Sequence, residues 1–216
     1  MNSTLIDIIS YSIAIGAIIG LIRVRTINQT FLPFIILLWI GLLNEILGTI
    51  LIRLIRSNAV NSNIYVLIES LVILKFFNGL GLFDNKRKVF FLVGILFITT
   101  WIADNFFISN INRFSSYFRV FYSIVIVFIS IQMINRQLTE EKKGLLKNPV
   151  FLIMMSFITF FTCKILIEIF WIYGLNASKD FRVDIYRIMT YVNLITNITY
   201  ALAVIWIPRK REYTLL

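Results

Sequence analysis

The sequence predicts an all-α protein, an integral bundle of seven transmembrane helices in a single domain. Three observations carry that prediction. The 216-residue chain is 59% hydrophobic and only 15% charged, against about 25% charged in a soluble domain. Its mean hydropathy is +0.86. Apolar runs of about twenty residues, long enough to cross roughly 30 Å of hydrocarbon as a helix, recur from one end to the other.

The first span, about 5–22, does not have the form of a cleavable signal. It lacks a basic leading segment, Asp7 precedes its apolar run, and Arg23 and Arg25 follow it. Ser12, Gly16 and Gly20 recur along one face, a line of small residues that lets a helix of this chain or of a second copy approach closely. Spans two and three, 31–53 and 64–83, flank the polar loop RSNAVNSN; span two sets Gly41, Asn44 and Gly48 beside Glu45. Span four covers 88–107 and span five 115–135. Span six, 149–174, opens on Pro149, and span seven, 184–208, closes on Pro208, places where a missing backbone donor is tolerated.

Loop charge predicts the orientation. Arg23, Arg25, Lys86, Arg87, Lys88, Arg136, Lys142, Lys143, Lys147, Arg209, Lys210 and Arg211 fall on one side. They outnumber Arg53, Arg56, Arg113, Arg119, Lys179, Arg182 and Arg187 on the other. The more basic side of a bacterial inner membrane protein is cytoplasmic, so the N-terminus is expected outside and the C-terminus inside. The same bias accounts for the net charge of +10 without nucleic acid as a partner. A lipid bilayer is the partner that the composition requires.

EILGTILIRLIRSNAVNSNIY in spans two and three aligns loosely with KILIEIFWIYGLNASKDFRVDIY in spans six and seven. The match suggests a parallel 3+1+3 repeat, an arrangement that puts binding sites between the halves. It also sets Glu45 opposite Lys164.

Charges within the spans are the strongest pointers to a site, because each is costly in hydrocarbon unless paired or hydrated. Glu45, Glu69, Asp104 and Glu168 fall in the outer half of their predicted spans, and Lys75 and Lys164 near the midplane. This predicts an acidic layer above a floor of lysines. Lys164 and Glu168 share a helix face at i and i+4, whereas Glu69 and Lys75, six apart, address different neighbours. In span seven Tyr186, Thr190, Asn193, Asn197 and Tyr200 form one helical stripe that could line a cavity or bond neighbouring helices. Trp39, Trp101, Trp171 and Trp206 fall toward span ends, as interfacial anchors do.

Several chemistries are set aside. The chain has no histidine and one cysteine, Cys163. Histidine-held zinc or haem, a cysteine-rich metal site and an intramolecular disulfide are therefore ruled out. Span seven has no lysine for a retinal Schiff base, and there is no Gly-x-Ser-x-Gly turn. No catalytic residue, cofactor or metal is assigned.

The stretch NEILGTILIRLIRSNAVNSNIYVLIESLVILKFF resembles a set of small bacterial seven-span membrane proteins, in which a polar loop leads into an Ile/Leu-Tyr-x-x-x-Glu helix. Ile64, Tyr65 and Glu69 match that pattern. Asn148-Pro149-Val150-Phe151 opening span six, and a polar last span ending in Trp206 and PRKR, are similar too. The resemblance implies a seven-helix membrane fold; it brings no activity or ligand.

Three functions fit these observations. The first is a sensor or receptor-like module with an external polar pocket, signalling through a membrane or cytoplasmic partner. The second is a transporter or channel for a small solute or ion, and the third a structural scaffold. Few polar residues continue to the inner side of the two lysines, which favours a pocket closed at the bottom.

Overall fold

A computed structural model describes residues 9–140, 144–173 and 178–209, without the side chains of Glu140, Lys179, Asp180, Arg182 and Tyr186. The described residues form a helical bundle. Its helices are α1 (Ile13–Arg23), α2 (Leu32–Ile55), α3 (Ala59–Gly79), α4 (Arg87–Ile102), α5 (Ser116–Glu140), α6 (Pro149–Ile172) and α7 (Lys179–Trp206). α4 continues into a π-helical segment, Ala103–Ile108.

Six of these are long and apolar enough to cross a membrane, α4 when taken with its π-helical continuation to Ile108, and α1 is the exception at 11 residues. The 24 residues of α2 reach about 36 Å, and the 21 of α3 about 32 Å. Their outward faces are as apolar as their inward ones: Leu43, Leu47, Ile50 and Leu54 on α2, and Phe91, Leu92 and Ile95 on α4, are all exposed. A surface of that kind belongs in lipid, where a helix satisfies its own backbone. The chain is a helical membrane protein.

Each helix packs on the next in chain order, and α7 closes the ring on α1. α1 reaches both neighbours through its small residues. A Cβ on Gly16 would stand 3.3 Å from Leu38 of α2 and 3.5 Å from the Ala201 backbone of α7. Ser12 accepts a hydrogen bond from Asn197 Nδ2 at 2.9 Å. The line of small residues thus packs within the chain.

At the lower end of the bundle, the α1–α2 connection joins the segment after α7: Asn28 N–H donates to Pro208 O at 3.1 Å. The Arg23 guanidinium donates to the carbonyls of Val204, Ile205 and Ile207, covering the C-terminus of α7. At the upper end, Asn63 fastens α3 to the α4–α5 connection. It donates to the carbonyls of Ile111 and Arg113, and accepts from the N–H and hydroxyl of Ser115. Asp104, expected in an acidic layer, instead starts α5 by accepting from Phe118 N–H at 2.8 Å and from Ser109 Oγ at 2.9 Å. The wide π turn carries both Asp104 and Asn105 inward, where each is nearly inaccessible.

α3 begins five residues before the predicted span and ends four before its predicted end. Polar Asn61, Ser62 and Asn63 read as loop, yet each finds a partner on a neighbouring segment: Asn44, Arg119, and the loop at 111–115. That shift changes the depth of every charge on the helix.

Candidate functional site

Two spaces that share wall residues lie inside the bundle. A chamber of about 370 Å³ lies among α1, α2, α3, α5, α6 and α7. Its polar lining includes Asn44, Glu45, Ser62, Tyr65, Glu69, Arg119, Lys164, Asn193, Thr196, Asn197 and Tyr200. A vestibule of about 680 Å³ lies toward the end of the bundle that carries the α2–α3 and α4–α5 connections, bounded by Ser57, Asn112, Arg113, Phe114, Glu168 and Trp171. Arg119, Lys164 and Met189 belong to the walls of both.

Glu69 is the centre of the buried network. It sits ten residues from each end of α3, at the middle of the bundle, and is 5% exposed. Its Oε1 accepts from Tyr65 at 2.8 Å, a bond across one turn of the same helix. Its Oε2 accepts from Tyr122 of α5 at 2.6 Å and from Lys164 Nζ of α6 at 3.2 Å. Lys164 also donates to Tyr122 Oη, and its ammonium lies 5.0 Å from the Tyr122 ring and 5.5 Å from the rings of Phe160 and Phe161. Three donors around one carboxylate and three aromatic faces around one ammonium make the burial of both charges tolerable.

A second pair guards the boundary with the vestibule. Arg119, in the first turn of α5, reaches Glu168 at 3.5 Å and Ser62 Oγ at 2.7 Å, with the Phe114 ring 5.1 Å away. Its Nε is buried without a partner. Glu45 differs from these groups. Halfway along α2, it makes no side-chain hydrogen bond or ion pair with any described residue. Gly41, one turn before it on the same face, brings Tyr65 close: a Cβ there would stand 3.7 Å from Tyr65 Oη.

Aromatic rings close the space below. Phe34, Phe76, Phe77 and Phe157 are inaccessible, and Phe34 and Phe157 meet Tyr200. Ring centres lie at 5.3 Å for Phe34–Tyr200, 5.6 Å for Phe34–Phe76, and 6.0 Å for both Phe77–Phe157 and Phe157–Tyr200.

The structure brings Glu45, Glu69, Lys164, Asn193, Asn197 and Tyr200 to one chamber and puts Glu168 at its mouth. It rearranges their pairing. Lys164 joins Glu69 rather than Glu168 or Glu45, because it leans across the ring to α3 while Arg119 takes Glu168. No Glu45–Lys164 contact links the two halves of the suggested repeat. Lys75 is no part of a lysine floor: it is exposed, four residues from the end of α3, about 6 Å by helical rise. From there its long side chain can reach the membrane interface. Thr190 is half-buried and does not line the chamber, and the Tyr186 side chain lies outside the described residues.

Ser62, Arg119, Tyr122 and Thr196 are site residues that the sequence reading does not single out. Arg119 and Tyr122 are one turn apart at the head of an apolar span, a spacing that points to them, whereas loop charge alone places the arginine among the outer cations. Among the described residues no group of three or more cysteine, aspartate or glutamate side chains is arranged to hold a metal. Comparison with known proteins adds no relative: no family model, no curated protein and no solved structure matches the chain.

Proposed function

We propose that the chain is a membrane sensor or receptor-like module that recognises a small polar solute in the chamber. In this reading α1, with the described residues 9–12 before it, belongs to a seventh span. The upper end faces the outside of a bacterial inner membrane, and the basic lower end meets a signalling partner. The observation that carries the reading is a chamber about halfway along the long helices, with charged and amide side chains in its walls. It shares Arg119, Lys164 and Met189 with a second space and has the ring of Tyr200 packed on Phe34 and Phe157 at its other side. Volumes of this size are those of small-molecule sites. A scaffold needs neither the space nor the unpaired Glu45.

Occupancy would act through the network that joins α3, α5 and α6. Lys164, Tyr122 and Glu69 lie on three different helices, so a ligand that redirects one of them alters how the helices meet. Arg23 and the Asn28–Pro208 bond couple α1 and α7 at the lower end, where a partner would read the change.

The transporter reading draws on the depth of the chamber, which reaches Tyr200 in the lower half of α7, but requires the aromatic layer to part. Vesicles reconstituted with the protein and offered labelled amino acids, amines and sugars distinguish the two. The sensor reading expects binding without flux. Flux above that of empty vesicles, abolished by Lys164→Ala, would make the protein a transporter.

A further inference from the structure

We infer that the chamber takes a small organic monocation, a protonated or quaternary amine, with its positive charge against Glu45; the inference rests on the chamber being a binding site. The charge balance of the walls leads there. Three carboxylates, Glu45, Glu69 and Glu168, face two buried cations, Arg119 and Lys164, across the chamber and its mouth. Lys164 is committed to Glu69 and Arg119 to Glu168. One acid, Glu45, is left without a counter-charge among the described residues. A ligand carrying one positive charge completes the set, whereas an anion would find both cations already engaged.

A second observation concerns a polar group in the chamber wall. Thr196, 3% exposed, lines the chamber, and its hydroxyl has no hydrogen-bond partner. A threonine within a helix ordinarily bonds back to the preceding turn, as Thr199 does to Ile195 O at 2.8 Å. A buried hydroxyl left unpaired is unfavourable, so this one is a group held ready for an acceptor or donor inside the space. Asn197, the next residue, spends its amide N–H on Ser12, which leaves its oxygen uncommitted.

Size and wall chemistry select the class of cation. About 370 Å³ is the share of roughly twelve water molecules in the liquid. A bare metal ion needs a close cage of oxygens, which so wide a space does not offer. An ammonium group with a few carbons fits, and its charge is stabilised by a carboxylate and by aromatic rings in the wall, Tyr65 and Tyr200. The apolar vestibule walls, Phe114, Ile167 and Trp171, accept the carbon part on the way in, past Glu168.

The test is calorimetric titration of the full chain in lipid nanodiscs with choline, ethanolamine and 3,3-dimethylbutan-1-ol, the last an uncharged analogue of choline in shape. Choline or ethanolamine is expected to bind saturably, and the alcohol roughly tenfold more weakly or less well still. Glu45→Gln, which loses no partner on folding, should abolish the preference for charge. Thr196→Val should weaken cation binding roughly two- to tenfold, as loss of one hydrogen bond does, while keeping the preference. Equal binding of alcohol and cations would overturn the inference, as would a preference that survives Glu45→Gln, or no binding of either cation. Should Glu45→Gln not fold, the wild-type comparison and Thr196→Val still decide. Thiol labelling of Asn193→Cys in a Cys163→Ser background, with a neutral reagent, separates the two levels. Labelling without cation binding leaves the chamber standing and removes the ligand class. No labelling removes the chamber itself as a site.

Discussion

Replacing Glu69 by glutamine removes the charge that Lys164 leans toward and one of the two oxygens that three donors share. The amide oxygen can still accept from Tyr65 or Tyr122, but the new NH2 meets a tyrosine hydroxyl and an ammonium. Lys164 is then left buried, with only the Tyr122 oxygen and three ring faces. The side chains of the pair are 10% and 7% exposed, so water compensates little. Breaking a buried pair of this kind costs about 3–5 kcal/mol. Lys164→Met alone should cost a similar amount, by stranding the carboxylate. The double variant removes both charges and should lose less than the sum, since no buried charge is then left unpaired. A double-mutant cycle is therefore expected to return a coupling of at least about 2–3 kcal/mol. The assay is reversible unfolding of the full chain in mixed micelles, titrated with dodecyl sulfate and followed by far-ultraviolet circular dichroism. Additivity within about 0.5 kcal/mol would refute the claim that this pair holds α3 to α6.

Three further perturbations test the frame around the site. Asp104→Ala should lower stability by about 1–2 kcal/mol in the same titration, because α5 loses its N-terminal acceptor, with Asp104→Asn recovering part of the loss. Arg23→Ala should release the lower end of α7, read as faster hydrogen exchange of amides in 204–209, and Arg23→Lys should restore only part of the protection, since an ammonium cannot reproduce the planar fork. Lys75→Gln should leave stability within about 0.5 kcal/mol, because the side chain is exposed near a helix end; a larger loss would mean that Lys75 has a buried role after all.

Hydropathy located the six long helices because lipid demands length and apolarity from each, and those are properties of a single segment. The same logic marked Glu69 and Lys164, since a charge inside an apolar run needs a partner. It did not say which partner. That depends on how helices turn about their axes, and a chain read in one dimension carries little of it. Lys75 illustrates the cost of a boundary error. The first turn of α3 is polar because Asn61, Ser62 and Asn63 bond to other segments, so hydropathy started the helix late and moved Lys75 toward the centre. Arg119 shows the reverse case, an apparent loop cation drawn inward by Ser62 and Glu168. Glu45 was legible as an intramembrane acid, but its lack of a partner emerges only once every neighbour is in position.

The central claim is a chamber open above and closed below. It is tested most directly by placing the chain's only thiol in that chamber, as Asn193→Cys with Cys163→Ser, in oriented vesicles. A membrane-impermeant thiol reagent is then applied to one side at a time. Modification from the outer side alone is the predicted result. Modification from the inner side, or from neither, would contradict it.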